Sequence, residues 1–184
     1  WRVVDAVNKC PQLAFYFSRD HEQQEQILIE FCTKSDRCFC CCIGCINGML
    51  LWIKKPTETN CEIAGVKAKK VFCGRKKKFG LNFQGDCDTK GHFLDVYIGH
   101  PGSTSDYFSF CTSSLKYKLE RPGFLKAGKC LFGDNAYVNT EYMATPFKAV
   151  YSGVKNEYNF YHSQLQITVE CAFGMLVKRW DILQ

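Results

Sequence analysis

The fold is decided at Lys129-Cys-Leu-Phe-Gly-Asp134-Asn-Ala-Tyr137, a short apolar run that ends in an acid and loop-forming residues. Such a run predicts a strand with Asp134 at its tip. Further along, Glu170 lies in a proline-free segment, residues 156–178, whose apolar side chains recur with helical spacing. An acid at a strand tip and an acid on a helix can meet at one end of a sheet. Two such carboxylates would form an oxygen-rich site suited to Mg²⁺, although isolated acids are more often simply exposed.

The bulk composition describes one ordinary globular domain. The chain has 184 residues, of which 46% are hydrophobic and 23% charged. It lacks an apolar run of 18 residues, so we expect no transmembrane helix and no membrane partner. A net charge of +6 is compatible with a polyanionic partner without requiring one. Because the chain starts at Trp1 rather than Met, we expect a fragment, and the lack of a targeting signal excludes nothing.

Thirteen cysteines are an odd and high count. A secreted disulfide scaffold is normally shorter and has an even number, so we interpret them as mostly reduced thiols. Cys42 and Cys45 have the spacing of zinc ligands, but alternation along a strand points neighbouring cysteines to opposite faces. For the segment 38–45 we therefore favour core packing, with a zinc-stabilised structural module as the alternative.

The order of predicted elements is β-β-β-α-β-α-β-α, after an N-terminal helical segment. A nearly continuous apolar run over residues 38–53 is typical of a central strand buried on both faces. Residues 79–86 and 92–98 predict a hairpin, and a helix over 106–119 would be capped by Ser105 or Asp106. After the Asp134 strand we expect a short helix near 140–144, a strand near 147–151 and the Glu170 helix. Helices are also expected over residues 3–7 and from Asp20 to about residue 31.

The densest basic stretch lies between the first strand and the hairpin. Its cations are Lys67, Lys69, Lys70, Arg75, Lys76, Lys77 and Lys78. One interpretation is a solvated loop and strand edge, where lysines also prevent edge pairing. The other is contact with DNA phosphates.

Four blocks of the sequence resemble one family. They are Cys45-Ile-Asn-Gly48, Gly99-His-Pro-Gly-Ser-Thr-Ser-Asp106, Leu131-Phe-Gly-Asp-Asn-Ala-Tyr137 and Tyr158-Asn-Phe-Tyr-His-Ser-Gln-Leu-Gln-Ile-Thr-Val-Glu-Cys-Ala-Phe-Gly174. In this order they resemble the DDE endonuclease domain of PIF/Harbinger-type transposases, a family that includes harbinger-derived nucleases. The resemblance covers roughly residues 38–184, and each block alone is weak.

The resemblance implies an α/β protein of the ribonuclease H-like fold, with a mixed central sheet flanked by helices. Residues 37–184 would be the nuclease domain, and residues 1–36 the end of an upstream helical region. The implied reaction is Mg²⁺-dependent (or Mn²⁺-dependent) hydrolysis and strand transfer on DNA. Asp134 and Glu170 would be metal ligands, Asn47 would occupy the third ligand position, and Asp106 matches a further acid. The family also implies nuclear action and a separate Myb-like DNA-binding partner.

Two positions depart from the family pattern. Asn47 stands where the family has Asp, and Gln166 stands where it usually has Arg. An Asn oxygen can bind Mg²⁺ but is neutral, so we expect a weakened or inactive site. Asn before Gly is also a common turn pair. The alternative function is therefore a non-catalytic DNA- or protein-binding module on the same scaffold.

Overall fold

A computed structural model describes residues 9, 15, 17, 20–149 and 152–180. The helices are α1 (His21–Lys34), α2 (Glu58–Ile63), α3 (Ala68–Val71), α4 (Asp106–Cys111), α5 (Ser114–Leu119) and α6 (Val154–Arg179). The strands are β1 (Cys42–Trp52), β2 (Phe72–Cys73), β3 (Lys78–Cys87), β4 (Phe93–Pro101), β5 (Cys130–Gly133) and β6 (Met143–Ala144). Within those residues, no helix is both long and apolar enough to cross a bilayer.

The strands form one mixed sheet in the order β2-β3-β1-β5-β6, with β4 also paired to β3. β3 is antiparallel to β1, β2 and β4, whereas β5 is parallel to both β1 and β6. β1 is therefore central, as its continuous apolar sequence predicts. This confirms the expected α/β architecture of a mixed sheet flanked by helices.

Each face of the sheet carries its own hydrophobic cluster. Ile43 and Ile46 of β1 pack with α4 and α5 through residues such as Phe110 and Leu115. On the other face, buried residues of β1, β3 and β5 pack against α1 and α6, and they include Cys42, Cys45, Phe83, Phe132, Leu165 and Phe173. Because successive strand residues point to opposite faces, β1 connects the two clusters and holds both helical layers in place.

The hairpin and the Glu170 helix are confirmed, while the region around residue 140 differs from expectation. The predicted helix near 140–144 is wrong, because Met143–Ala144 forms β6 alongside β5. Residues 147–149 lie outside any strand, and 150–151 fall outside the described residues. The predicted helix over 106–119 is two helices, because Ser113 caps α5 by accepting a hydrogen bond from the Lys116 amide. The helix expected over residues 3–7 also lies outside the described residues.

Helix α1 is tied to the sheet by packing and by polar contacts. Asp20 caps it, accepting from the Glu22 amide. Phe31 is fully buried in the cluster shared with α6. Lys34 donates to the Thr168 hydroxyl of α6, and the buried Lys129 ammonium pairs with Glu25. The N-terminal helix therefore shares the core of the residues that follow it.

Cysteines divide between the core and the surface. Cys42 and Cys45 are fully buried, which confirms core packing for these two thiols. Cys38 and Cys40 are exposed, so core packing is wrong for them. Cys32 and Cys40 form a disulfide, which corrects the expectation of a reduced thiol at these positions. Ten described cysteines remain free, and no group of three or more His, Cys, Asp or Glu residues in the described chain could hold a metal ion.

Candidate active site

The pairing of β1 with β5 brings Asn47 and Asp134 to the same edge of the sheet. Ile46 is the register partner of Gly133 in this parallel pair. The next residue on each strand is Asn47 on one and Asp134 on the other, so both follow the last paired position. Asp134 is held in a turn, because its Oδ1 accepts from the Ala136 amide at 2.8 Å. Asn47 Oδ1 accepts from the Gly48 amide at 2.7 Å.

Asp106, the first residue of α4, lies in the same region of the sheet. Ser105 caps α4 by accepting from the Phe108 amide, which leaves the Asp106 carboxylate free for other partners. Asp106 Oδ1 accepts hydrogen bonds from Asn82 Nδ2 at 2.8 Å and Gln84 Nε2 at 3.1 Å. A Cβ at Gly48 would lie 2.0 Å from the same oxygen. Asp106 is therefore seated directly on β1, one residue beyond Asn47.

Asp134 lies in a mixed electrostatic environment. Partial burial raises the pKa of its carboxyl above the ordinary value, and the charge of Asp106 adds to this rise. The Ala136 amide and the Arg75 guanidinium lower the pKa of the same group. Two acids and one cation therefore act on each other at this edge. A divalent cation would relieve the repulsion between the carboxylates.

Glu170 lies on the stretch of α6 that crosses the sheet near Asn47. One turn before it, Gln166 is buried and donates to the Phe132 carbonyl of β5 at 2.5 Å. Three residues after it, Phe173 packs against Phe83 and covers Gly85, the register partner of Asn47. The helix therefore passes from β5 to β3 over β1. The Glu170 side chain itself is exposed.

Hard oxygen ligands are present, but they form an incomplete set. Asp106 acts electrostatically on Asp134, the strand register places Asn47 next to Asp134, and Glu170 lies on the neighbouring helix. In the described ranges, however, no three acidic, His or Cys side chains converge tightly enough to hold a metal ion. The chemistry of the donors fits Mg²⁺ or Mn²⁺, while the neutral Asn47 leaves one charge fewer than three acids would supply.

The basic stretch is brought to this same edge. All seven of its cations are exposed, and none forms an ion pair with a described residue. Arg75 lines a cavity of about 300 Å³ together with Asp106, Gly48 and Ala136. Lys67, Lys69 and Lys70 belong to α3 or its cap, whose Lys70 carbonyl accepts from the Ser103 amide in the loop before Asp106. Of this stretch, Arg75 thus lies beside Asp106 and acts on Asp134.

A buried polar network that supports Asp106 was missed by sequence reasoning. Gln84 donates to both Asp106 and the Asn82 oxygen, and it accepts from the Tyr137 hydroxyl. This network connects the loop after Asp134 to the strand beneath Asp106. Asn82, Gln84 and Asp86 recur at every second residue of the predicted strand, and that alternation was the available signal.

One family model and two curated relatives match this chain. The family model described as DDE superfamily endonuclease matches residues 46–184. HARBI1 of Bos taurus, a protein named as a nuclease, is 27% identical over 141 residues, which cover 77% of this chain and 37% of that protein. HARBI1 of Homo sapiens is 27% identical over 112 residues, covering 61% of this chain and 32% of that protein. The chain thus spans about a third of the length of these curated relatives. No solved structure gave a significant match.

Proposed function

Because this chain belongs to the DDE superfamily endonucleases, we propose that it is a PIF/Harbinger-type nuclease domain with a ribonuclease H-like fold, acting on DNA. The parallel pairing that sets Asn47 beside Asp134 carries the proposal. It supports a site in which Asn47, in the middle of β1, lies beside Asp134 at the end of β5, with Glu170 contributed by α6. The relatives named as nucleases support the same class of reaction.

Asp134 and Glu170 would hold Mg²⁺ or Mn²⁺, with Asn47 at the third ligand position and Asp106 as a further acid. The ion would supply water activation and stabilisation of the leaving oxygen during phosphodiester hydrolysis or strand transfer. The chain's own residues orient this site: Gln84 and Asn82 fix Asp106, and the Ala136 amide fixes Asp134. Arg75 and the neighbouring lysines would neutralise the DNA backbone.

We propose that Asn47 weakens metal binding by this chain. Its Oδ1 is already an acceptor for the Gly48 amide, and the side chain carries no charge. Hard divalent ions respond strongly to ligand charge, so affinity for Mg²⁺ would be low. We extend the proposal to nuclear action beside a Myb-like DNA-binding partner, on the resemblance to PIF/Harbinger proteins alone.

A second candidate is a DNA-binding module without catalysis. The neutral Asn47 and the seven exposed cations favour it together, because DNA binding needs the cations but not the third acid.

A plasmid-nicking assay decides between the two candidates. The unchanged chain, Asp134→Asn and Asn47→Asp would each be incubated with supercoiled DNA in Mg²⁺, Mn²⁺ or EDTA. The nuclease proposal expects metal-dependent nicking that Asp134→Asn abolishes and Asn47→Asp increases. Binding of DNA by all three proteins, with no nicking by any of them, would support the binding module instead.

A further inference from the structure

Strand β1 continues well beyond its partner β5. The last register pair is Ile46 with Gly133, whereas β1 runs on to Trp52. On that side, residues 47–52 have no partner strand among the described residues. A cavity lies against this open segment, next to the one that contains Asp106, and both share Gly48, Met49, Leu50 and Arg75.

We call this space, of about 390 Å³, the Trp52 cavity. Beside Gly48 it is lined by Met49, Leu50, Trp52, Arg75, Lys76 and Val177. Its volume falls in the range of small-ligand sites. The Trp52 ring is 38% exposed, and the Lys78 ammonium lies 3.0 Å from its centroid. The lining therefore combines apolar walls, one aromatic ring and two cations.

This combination fits one chemical class of ligand. A nucleobase is a flat, largely apolar ring system, and it stacks on aromatic side chains without sequence preference. Its phosphate needs cations that are not already neutralised, and Arg75 and Lys76 of the lining form no ion pairs with described residues. A purely apolar ligand would leave these cations unused, whereas a paired duplex would present no base to the ring.

The helix connects this cavity to the proposed site. Val177 lies seven residues after Glu170 on α6, a distance of about 10 Å along the helix axis. That length corresponds to about three base steps of DNA. Gly174 lies between them, and a Cβ there would meet no atom within 4 Å. The helix surface from Glu170 to Val177 is therefore unobstructed at Gly174.

We propose that the Trp52 cavity receives one unpaired nucleotide of the DNA strand, within about three steps of the phosphodiester beside Glu170. The inference rests on the proposed function, because it needs DNA at this edge of the sheet. It adds a substrate class: DNA with an unpaired base, such as a short overhang or a bulge, next to the bond that is attacked. Taking a base out of the stack costs least where it is already unpaired.

Binding would be measured in EDTA, so that no DNA is cut. The full chain is titrated against a blunt duplex and against the same duplex with a single 2-aminopurine bulge or overhang, and fluorescence anisotropy gives both dissociation constants. We expect the unpaired nucleotide to tighten binding by about 5-fold to 150-fold, the contribution of stacking one base on an aromatic ring. Quenching of 2-aminopurine should accompany this gain.

Variants then locate the nucleotide. Trp52→Ala should reduce the ratio of the two dissociation constants to about one, while Trp52→Phe should keep most of it. Val177→Asp should also reduce the ratio, since it adds a negative charge beside the phosphate. Ile63→Ala, at an exposed apolar residue of α2, is the matched control and should leave the ratio unchanged. Circular dichroism confirms that each variant is folded.

The possible outcomes distinguish this inference from the proposed function on which it rests. Tight binding of the duplex without any gain from the unpaired nucleotide overturns the cavity assignment alone. If the ratio of the two dissociation constants is the same for the unchanged chain and for Trp52→Ala, the cavity assignment is also overturned, and the nucleotide binds elsewhere. Failure to bind either DNA overturns both this inference and the proposed function.

Discussion

Asp106 rests on Gly48 so closely that no other residue can occupy the glycine's position without moving the acid. A Cβ at residue 48 would lie 2.0 Å from Asp106 Oδ1. That oxygen is also the acceptor for Asn82 and Gln84, so displacing it disrupts both hydrogen bonds. Gly48 of β1 therefore determines where an acid of α4 lies.

Gly48→Ala should destabilise the protein by about 1–3 kcal/mol, the usual cost of inserting a methyl group into a filled space. Urea unfolding measures the change. Gly174→Ala is the control, because its Cβ meets no atom within 4 Å and alanine has a higher helix propensity by up to about 1 kcal/mol. Equal stability of the Gly48→Ala and unchanged proteins would show that Asp106 moves away without cost.

Asn47→Asp should increase the affinity for Mg²⁺ or Mn²⁺, because it adds a third carboxylate beside Asp134. Isothermal titration measures the affinity, and the nicking assay measures the activity. Asn47→Ser keeps a small polar side chain without the charge and should behave like the unchanged chain. Unaltered metal binding in Asn47→Asp would remove residue 47 from the ligand set.

Gln166→Arg should be tested with Asn47→Asp, because residues around one site do not act additively. The structure makes the single change costly: Gln166 is buried, and its amide bonds to the Phe132 carbonyl. We expect a loss of about 1–3 kcal/mol in the free energy of unfolding from the disturbed hydrogen bond. Higher nicking by the double variant than by Asn47→Asp would indicate that the arginine reaches the site. No difference between these two would confine residue 166 to packing.

Changing Lys76, Lys77 and Lys78 to Ala should lower the salt slope of DNA binding by about 0.9 for each phosphate contact that is lost. Anisotropy titrations over a range of salt concentrations give the slope. A triple change of Lys90, Lys116 and Lys126 removes the same charge from lysines that are ion-paired with glutamates. That control should lower the affinity for DNA far less. Equal salt slopes for the two triple variants would identify the basic stretch as a solvated surface.

Asp86 makes stability depend on pH. Burial raises the pKa of this carboxyl well above its ordinary value, the charges of Asp95 and Asp88 add to the rise, and the Cys87 amide opposes it. Both its oxygens are buried, and neither has a well-aligned hydrogen-bond partner among the described residues. Because the folded pKa exceeds the unfolded one, the stability associated with a protonated Asp86 is fully present below about pH 4 and is lost as pH rises toward the folded pKa.

Asp86→Val should therefore be more stable than the unchanged chain at pH 7, by about 1–4 kcal/mol. The difference should shrink as pH falls toward 4, and denaturant unfolding at a series of pH values records it. Asp88→Ala, which removes a neighbouring acid instead, should retain most of the pH dependence. A constant difference across the series would mean that Asp86 is ionised in the folded protein.

Among the free cysteines of residues 38–45, Cys41 should react faster than Cys42 and Cys45. A hydrogen bond with the Cys130 thiol lowers the pKa of Cys41 to about 7, whereas burial raises the pKa of Cys42 and Cys45. Iodoacetamide at pH 7 should label Cys41 much faster than these two, as mass spectrometry would show. Cys130→Ala should slow the labelling of Cys41. Stoichiometric zinc in the purified protein, with unfolding on chelation, would instead support a zinc module.

The sequence predicted long elements well and local geometry poorly. The continuous apolar run identified β1, and helical spacing identified α6 to within two residues of each end. The short β6 could not be found, because two residues carry no periodicity and their pairing depends on β5. Asn47 and Asp134 were placed by resemblance, but their shared sheet edge follows from strand register, which the sequence does not state. The effect of the Arg75 charge on the pKa of Asp134 depends on the tertiary structure, whereas the sequence alone revealed only the positive charge of the stretch.

Helix α1 has a practical consequence for anyone who makes this protein. The family match begins at Ile46, inside β1, whereas Phe31 and Lys34 of α1 are built into the core and the polar contacts of α6. A gene trimmed to the matched residues would cut the central strand in two and uncover the apolar surface beneath α1. We expect such a fragment to aggregate on expression, while one starting before Phe17 would keep the core residues of the described chain. The piece that sequence comparison recognises is thus smaller than the piece that can fold.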